Sequence, residues 1–212
     1  MTMHQEQAKP DTKAHWDGVY ARSAQNGVGW YRPHLETSLR LIQSVAGCNA
    51  SILDVGGGHS TLVDDLLEQG YTDLTVLDVS AEGLAKVQER LGQKAEAVTW
   101  RVGDVTDVNL PAARYDLWHD RAVFHFLLDA QMREDYVHQA THALKPGGHL
   151  VIATFGPQGP MKCSGLPVCR YDADSLSAIF GPRFRLIESC LEIHQTPSGN
   201  QQQFLYCCMQ FQ

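Results

Sequence analysis

Ile52-Leu53-Asp54-Val55-Gly56-Gly57-Gly58-His59-Ser60-Thr61-Leu62 is the stretch that decides the fold. The apolar run Ser51-Ile52-Leu53 reads as a strand, and Thr61-Leu62-Val63-Asp64-Asp65-Leu66-Leu67-Glu68 reads as a helix. Glycines in the turn between them let a ligand lie against bare backbone, near the positive end of the helix dipole. Asp78 ends the next apolar run, twenty residues after Gly58. That spacing suits a carboxylate holding the two ribose hydroxyls of an adenosine. The stretch therefore implies a nucleoside cofactor.

Outward from this turn the elements alternate. Strands are expected at 51–55, 74–78, 97–102, 115–119 and 148–155, with helices at 61–69, 80–91 and 131–143 between them. Leu62, Val63, Leu66 and Leu67 make one apolar stripe, and Gly70 stops that helix. Ser80 is placed to cap the next helix. Leu144-Lys145-Pro146-Gly147-Gly148 ends the third helix and turns the chain into a nearly continuous apolar strand. Such alternation predicts a doubly wound α/β fold, a parallel sheet with helices on both faces. Phe184–His194, the turn 196–200 and Gln201–Phe211 read as a hairpin, so the sheet should end with one antiparallel strand.

Composition narrows the function. A length of 212 residues suits one domain, and 43% apolar residues against 19% charged are ordinary for a soluble protein. The net charge of -7 comes without a basic stripe, so the electrostatic footprint of a nucleic-acid binder is missing. The polar N-terminus has no signal-peptide core and no later segment is a membrane span, which leads to a cytoplasmic expectation with reduced cysteines. None of Cys48, Cys163, Cys169, Cys190, Cys207 and Cys208 forms a Cys-x2-Cys pair. His138 and His142 share a helix face but lack a third ligand, so no metal is expected.

The nicotinamide fingerprint Gly-x-Gly-x-x-Gly is broken here, because Thr61 stands at its third position. Asp-x-Gly-x-Gly resembles instead the first motif of the class I S-adenosylmethionine-dependent methyltransferases. Leu77-Asp78-Val79-Ser80 looks like the family's second motif and Gly103-Asp104-Val105 like its third. Tyr115 to Asp120 looks like its fourth strand, Leu144 to Leu150 like the turn into its fifth, and the hairpin like its reversed seventh strand. The resemblance spans roughly residues 12–211 and implies a Rossmann-like, seven-stranded sheet. It also implies S-adenosyl-L-methionine as cofactor, held by Asp54, Gly56, Gly57, Gly58, Asp78, Val79, Asp104, Val105 and His119. Asp54 would serve the methionine ammonium, Asp78 the ribose and Asp104 the adenine.

Ser60 departs from the family's usual glycine. A Gly-x-Gly-x-Ser loop, with Trp16 to Tyr20 and Trp30-Tyr31 ahead of the first strand, is similar to a branch of methyltransferase-like proteins. That branch includes lysine methyltransferases acting on citrate synthase and on elongation factor 1A. Ser60 can also cap the helix that follows it.

Methyl transfer from a sulfonium is an in-line displacement, and a base is needed only if the nucleophile arrives protonated. Open α/β sheets bind ligands at the carboxyl ends of their strands, which makes His119, Asp120 and His125 the catalytic candidates. His125 reads either as a base or as a hydrogen-bonded structural histidine. Residues 1–34 are expected to form a cap or flap, or else to pack on the sheet edge, and 156–171 a substrate-side loop. Trp16, Trp30, Tyr31, Arg121 and Arg170 are the acceptor-side candidates, and Cys163 and Cys169 lie in the same loop. The expected function is methylation of a small-molecule acceptor by a single domain spanning 1–212. A protein lysine acceptor and a non-catalytic nucleoside-binding regulator are the alternatives. No nucleic-acid or membrane partner is expected.

Overall fold

A computed structural model describes residues 12–24 and 27–212. Of the expected cap over 1–34, residues 1–11 and 25–26 lie outside the described residues. Strand β1 (Ser51–Val55) is buried along its whole length, and β2 (Asp73–Asp78) is buried at all but its first residue. Strands with no polar face require cover on both sides of the sheet. β3 (Val98–Val102), β4 (Tyr115–Arg121) and β5 (Leu144–Phe155) extend the parallel array. β6 (Lys162–Cys163) and β7 (Leu166–Pro167) form a separate small hairpin. β8 (Phe184–Gln195) and β9 (Gln201–Phe211) complete a seven-stranded sheet of order β3-β2-β1-β4-β5-β9-β8. β9 runs antiparallel to both neighbours and is the one reversed strand.

Helices α1 (Thr12–Arg22), α2 (Glu36–Val45), α3 (Leu62–Glu68), α4 (Ala81–Leu91), α5 (Ala130–Ala143) and α6 (Ala173–Phe180) surround the sheet. Leu39 and Ile42 of α2, Leu62 and Leu66 of α3 and Leu84 and Val87 of α4 pack in one core. Tyr136 and Ala140 of α5 and Leu176 and Phe180 of α6 belong to the other. At seven residues α3 is too short to persist alone. Leu62, Val63 and Leu66 are at most 1% exposed, and each such side chain contributes about 1.5–3 kcal/mol by burial. Gly70 follows α3 at φ +85°, and Ser80 Oγ accepts from Gly83 N at 3.1 Å to start α4.

The structure corrects two expectations of extent. Helices α2 and α6 were not anticipated, although Leu35, Leu39 and Ile42 fall one helical turn apart and are all buried. β5 begins at Leu144 rather than at 148. Leu144 pairs with Tyr115 and pairing resumes between Leu117 and His149, so the Lys-Pro-Gly-Gly segment is a bulge within the ladder.

Strands β1 to β3 step outward on one side of β1, and β4 and β5 on the other. The crevice at this reversal, outside the carboxyl ends of β1 and β4, is where such sheets bind ligands.

Candidate active site

The glycine turn after β1 is built around close approach. Gly56 has φ +74°, and a Cβ there would stand 2.1 Å from Val123 Cγ2. A Cβ on Gly58 would stand 2.7 Å from Asp78 Oδ2 and 2.9 Å from the Tyr20 ring. Gly56 N and Gly57 N donate to Leu77 O at 2.7 and 3.2 Å, which ties the turn to β2. Ser60 Oγ accepts from Leu62 N at 3.1 Å and so opens α3, one position before the cap itself.

Asp78 is 5% exposed and held at both oxygens. Oδ2 accepts from Gly58 N at 2.8 Å and lies 3.4 Å from the Tyr20 hydroxyl, while Oδ1 accepts from Ser80 N at 2.8 Å. Burial outweighs these bonds and pushes its carboxyl up to about 6. Asp104 follows β3 and turns its chain by accepting from Thr106 N and Oγ1 at 2.9 and 2.7 Å.

Asp54 and His119 face each other across the β1–β4 pairing. Asp54 Oδ1 lies 2.7 Å from His119 Nδ1, and His119 Nε2 lies 2.9 Å from Ser38 Oγ on α2. Both imidazole nitrogens are thus engaged, which holds the ring against Asp54. The Tyr206 hydroxyl accepts from Arg121 Nε at 3.0 Å. Asp54 Oδ2 is buried and has no hydrogen-bond partner among the described residues.

These groups line one cavity of about 300 Å³. Among the expected cofactor residues, Asp54, Gly56, Gly58, Asp78, Val79, Asp104, Val105 and His119 are on its wall. Gly57 is not; a Cβ there would stand 2.3 Å from Val76 Cγ1, so its smallness serves packing inside the sheet. Trp16, Trp30, Tyr31 and Arg121 also line the cavity. Trp16 meets Trp30 and Phe126 edge-on at ring distances of 5.7 and 5.2 Å. Cys163, Leu166 and Pro167 bring the β6–β7 hairpin to the same wall. Burial pushes the Cys163 thiol up to about 11, so it is not a thiolate at neutral pH.

Besides Gly57, three expected site residues are placed elsewhere. Asp120 is fully buried and off the cavity wall, because alternation along β4 turns it to the face opposite His119 and Arg121. Its carboxylate accepts from Val123 N, Phe124 N and the Tyr136 hydroxyl at 2.9, 3.1 and 2.7 Å, and burial pushes it up to about 6. His125 is also fully buried and off the wall, where Nδ1 accepts from Phe155 N at 3.3 Å. Burial, with the charge of Arg121, lowers it to about 3, too weak a base for proton abstraction near neutrality. Arg170 donates to Gly159 O at 3.2 Å and borders a separate depression with Met161 and Tyr171.

The sequence reading missed Ser38 and Tyr206, and it read Tyr20 only as a member of an aromatic motif. Tyr20 sits on Gly58, Gly83 and Asp78, and its ring lies 4.6 Å from that of His59. Ser38 carried no visible signal, being one hydroxyl on an amphipathic helix.

The wall fits S-adenosylmethionine. Asp54 Oδ2 is a buried acceptor in need of a cationic donor such as an ammonium, Asp78 holds a carboxylate at the end of β2, and Gly58 leaves backbone bare between them. The fold and cavity define a nucleoside-cofactor transferase of the α/β class. Residues 52–148 match the family described as methyltransferase domain. Over that span the chain carries a class I S-adenosylmethionine-dependent methyltransferase domain. It is 25% identical over 197 residues to EEF1A lysine methyltransferase 2 of Danio rerio, covering 85% of this chain and 78% of that protein. Among solved structures, 1,6-didemethyltoxoflavin-N1-methyltransferase of Burkholderia thailandensis superposes with a TM-score of 0.67 at 21% identity, covering 93% of this chain and 84% of the other. A protein solved for the conversion of a disulfide bond into a thioacetal group during echinomycin biosynthesis superposes at 0.76, with 15% identity and coverage of 94% and 91%. No helix among the described residues is long and apolar enough to cross a membrane.

Proposed function

We propose that this methyltransferase acts on a small-molecule acceptor. The observation that carries the reading is the apolar lining of the cavity beside β4 and β5. Trp16, Trp30 and Phe126 line it with rings in edge-on contact, and Cys163, Leu166 and Pro167 of the β6–β7 hairpin lie on the same wall. The cofactor supplies an electrophilic methyl on a sulfonium. The chain's own residues hold the nucleophile in line and keep water away. Neither His119, with both nitrogens bonded, nor His125, off the wall, is available as a base. The reading therefore favours an acceptor whose lone pair is free at neutral pH.

A protein lysine acceptor is the second reading, favoured by the similarity to EEF1A lysine methyltransferase 2. Transfer of labelled methyl from S-adenosylmethionine into a size-fractionated cell extract separates the two. Label in the low-mass fraction supports the small-molecule reading. Label recovered as methyl-lysine in the protein fraction replaces it with the second.

A further inference from the structure

Arg121 is a cation without an anion. Among the described residues it forms no salt bridge, whereas Arg32, the other arginine on the cavity wall, is held by Glu192 at 2.6 Å. Its guanidinium is placed by neutral groups alone. Nε donates to the Tyr206 hydroxyl and Nη1 to Trp30 O, both at 3.0 Å, and the Phe204 ring lies 4.5 Å away. Nη2 is buried with no hydrogen-bond partner. The carboxylate of Asp54 is bonded to His119 and not to this cation. A half-buried guanidinium with one buried nitrogen unsatisfied among the described residues is costly, and a ligand that completes it removes that cost.

The sheet places this group away from the cofactor half. The glycine turn, Asp78 and Asp104 follow β1, β2 and β3. Arg121 ends β4 in register with Ala153 of β5, which is in register with Tyr206 of β9. The small side chain of Ala153 lets the guanidinium lie across β5 to reach the Tyr206 hydroxyl. The cation thus stands on the far side of β4 from the cofactor residues, beside Trp30.

From this we infer that the methyl acceptor carries a carboxylate and that Arg121 receives it. The inference rests on the small-molecule reading and deepens it. A lysine ammonium would meet an uncompensated positive charge at the same wall, which penalises the second reading.

The test titrates the protein loaded with S-adenosylhomocysteine with a panel of aromatic carboxylates, their neutral amides and the matching amines. Binding of S-adenosylhomocysteine itself checks the cofactor reading first and independently. Acids in the panel should bind about tenfold or more tightly than their amides, and amines weakest. Arg121→Gln should erase the acid preference while leaving S-adenosylhomocysteine affinity within about twofold, and Arg121→Lys should keep part of it. The retained affinity for S-adenosylhomocysteine shows that the variants are folded. If no acid is preferred over its amide, if amines bind best, or if Arg121→Gln instead weakens S-adenosylhomocysteine, the inference is overturned.

Discussion

Replacing Gly58 by alanine tests the cofactor side most directly. The backbone there is not in the left-handed region, so the penalty comes from contact alone. The new Cβ would stand 2.7 Å from Asp78 Oδ2 and 2.9 Å from Tyr20 Cζ and Oη. Asp78 yields least, because Gly58 N and Ser80 N hold it at 2.8 Å, and each bond to an ionised group is worth about 1.5–3 kcal/mol. Tyr20, bonded to the same carboxylate at 3.4 Å, yields first, and α1 moves with it. Overpacking of this kind costs about 1–3 kcal/mol, and a chain of this size loses about 2–4 °C of Tm per kcal/mol. With Asp78 as the ribose acceptor that its motif implies, its displacement would weaken a charge-assisted bond, which corresponds to about ten- to a hundredfold in Kd for S-adenosylhomocysteine. Calorimetric titration and thermal melting measure the two effects. Gly47→Ala is the control, since nothing lies within 4 Å of a Cβ there. Wild-type affinity together with wild-type Tm in Gly58→Ala would refute the account of this cradle.

Three further outcomes follow from the same geometry. The Asp78 carboxyl, pushed up to about 6 by burial, holds its proton more tightly folded than unfolded, so its contribution to stability is full below the ordinary carboxylate pKa and is lost as pH rises through 6. Ribose hydroxyls need the ionised form, so S-adenosylhomocysteine affinity should weaken as pH falls below about 6, and Asp78→Asn should flatten that titration. Asp120→Ala strands two backbone N–H groups and the Tyr136 hydroxyl in the core; urea unfolding should show a loss of about 2–4 kcal/mol, and a loss near zero would remove Asp120 from the framework. Ser38→Ala removes the hydroxyl that lies 2.9 Å from His119 Nε2, so urea unfolding should show a loss of about 1 kcal/mol, and an unchanged stability would take Ser38 out of the contacts that hold the imidazole.

The elements easiest to read were those where one local signal has one physical meaning. Gly56 to Gly58 between a strand and a helix and Asp78 at a strand end each mark one place in the fold. The hairpin at the C-terminus was legible for the same reason, two long strands around a turn. The catalytic side was misread because residue type was weighed above direction. His119, Asp120 and Arg121 are adjacent in sequence, yet the two-residue period of a strand sends Asp120 into the opposite core. His125 belongs to a 3-10 turn whose backbone packs under β5, so its imidazole serves the Phe155 amide. The contacts of His119 with Ser38 and of Arg121 with Tyr206 could not be read at all. They join residues 81 and 85 positions apart, through a single serine and a single tyrosine.

The placement of the tryptophans gives the protein an optical reporter of its own. Of its four, Trp16 and Trp30 stand on the cavity wall, whereas Trp118 is sealed in the core against the Tyr136 hydroxyl and Trp100 is tied to Ala95 O. Whatever enters beside Arg121 changes the surroundings of the first pair and leaves the second untouched. Intrinsic emission therefore divides into a part that follows occupancy and a part that follows only unfolding. Acceptors can accordingly be sought by their effect on that first part, with no label and before any turnover is known.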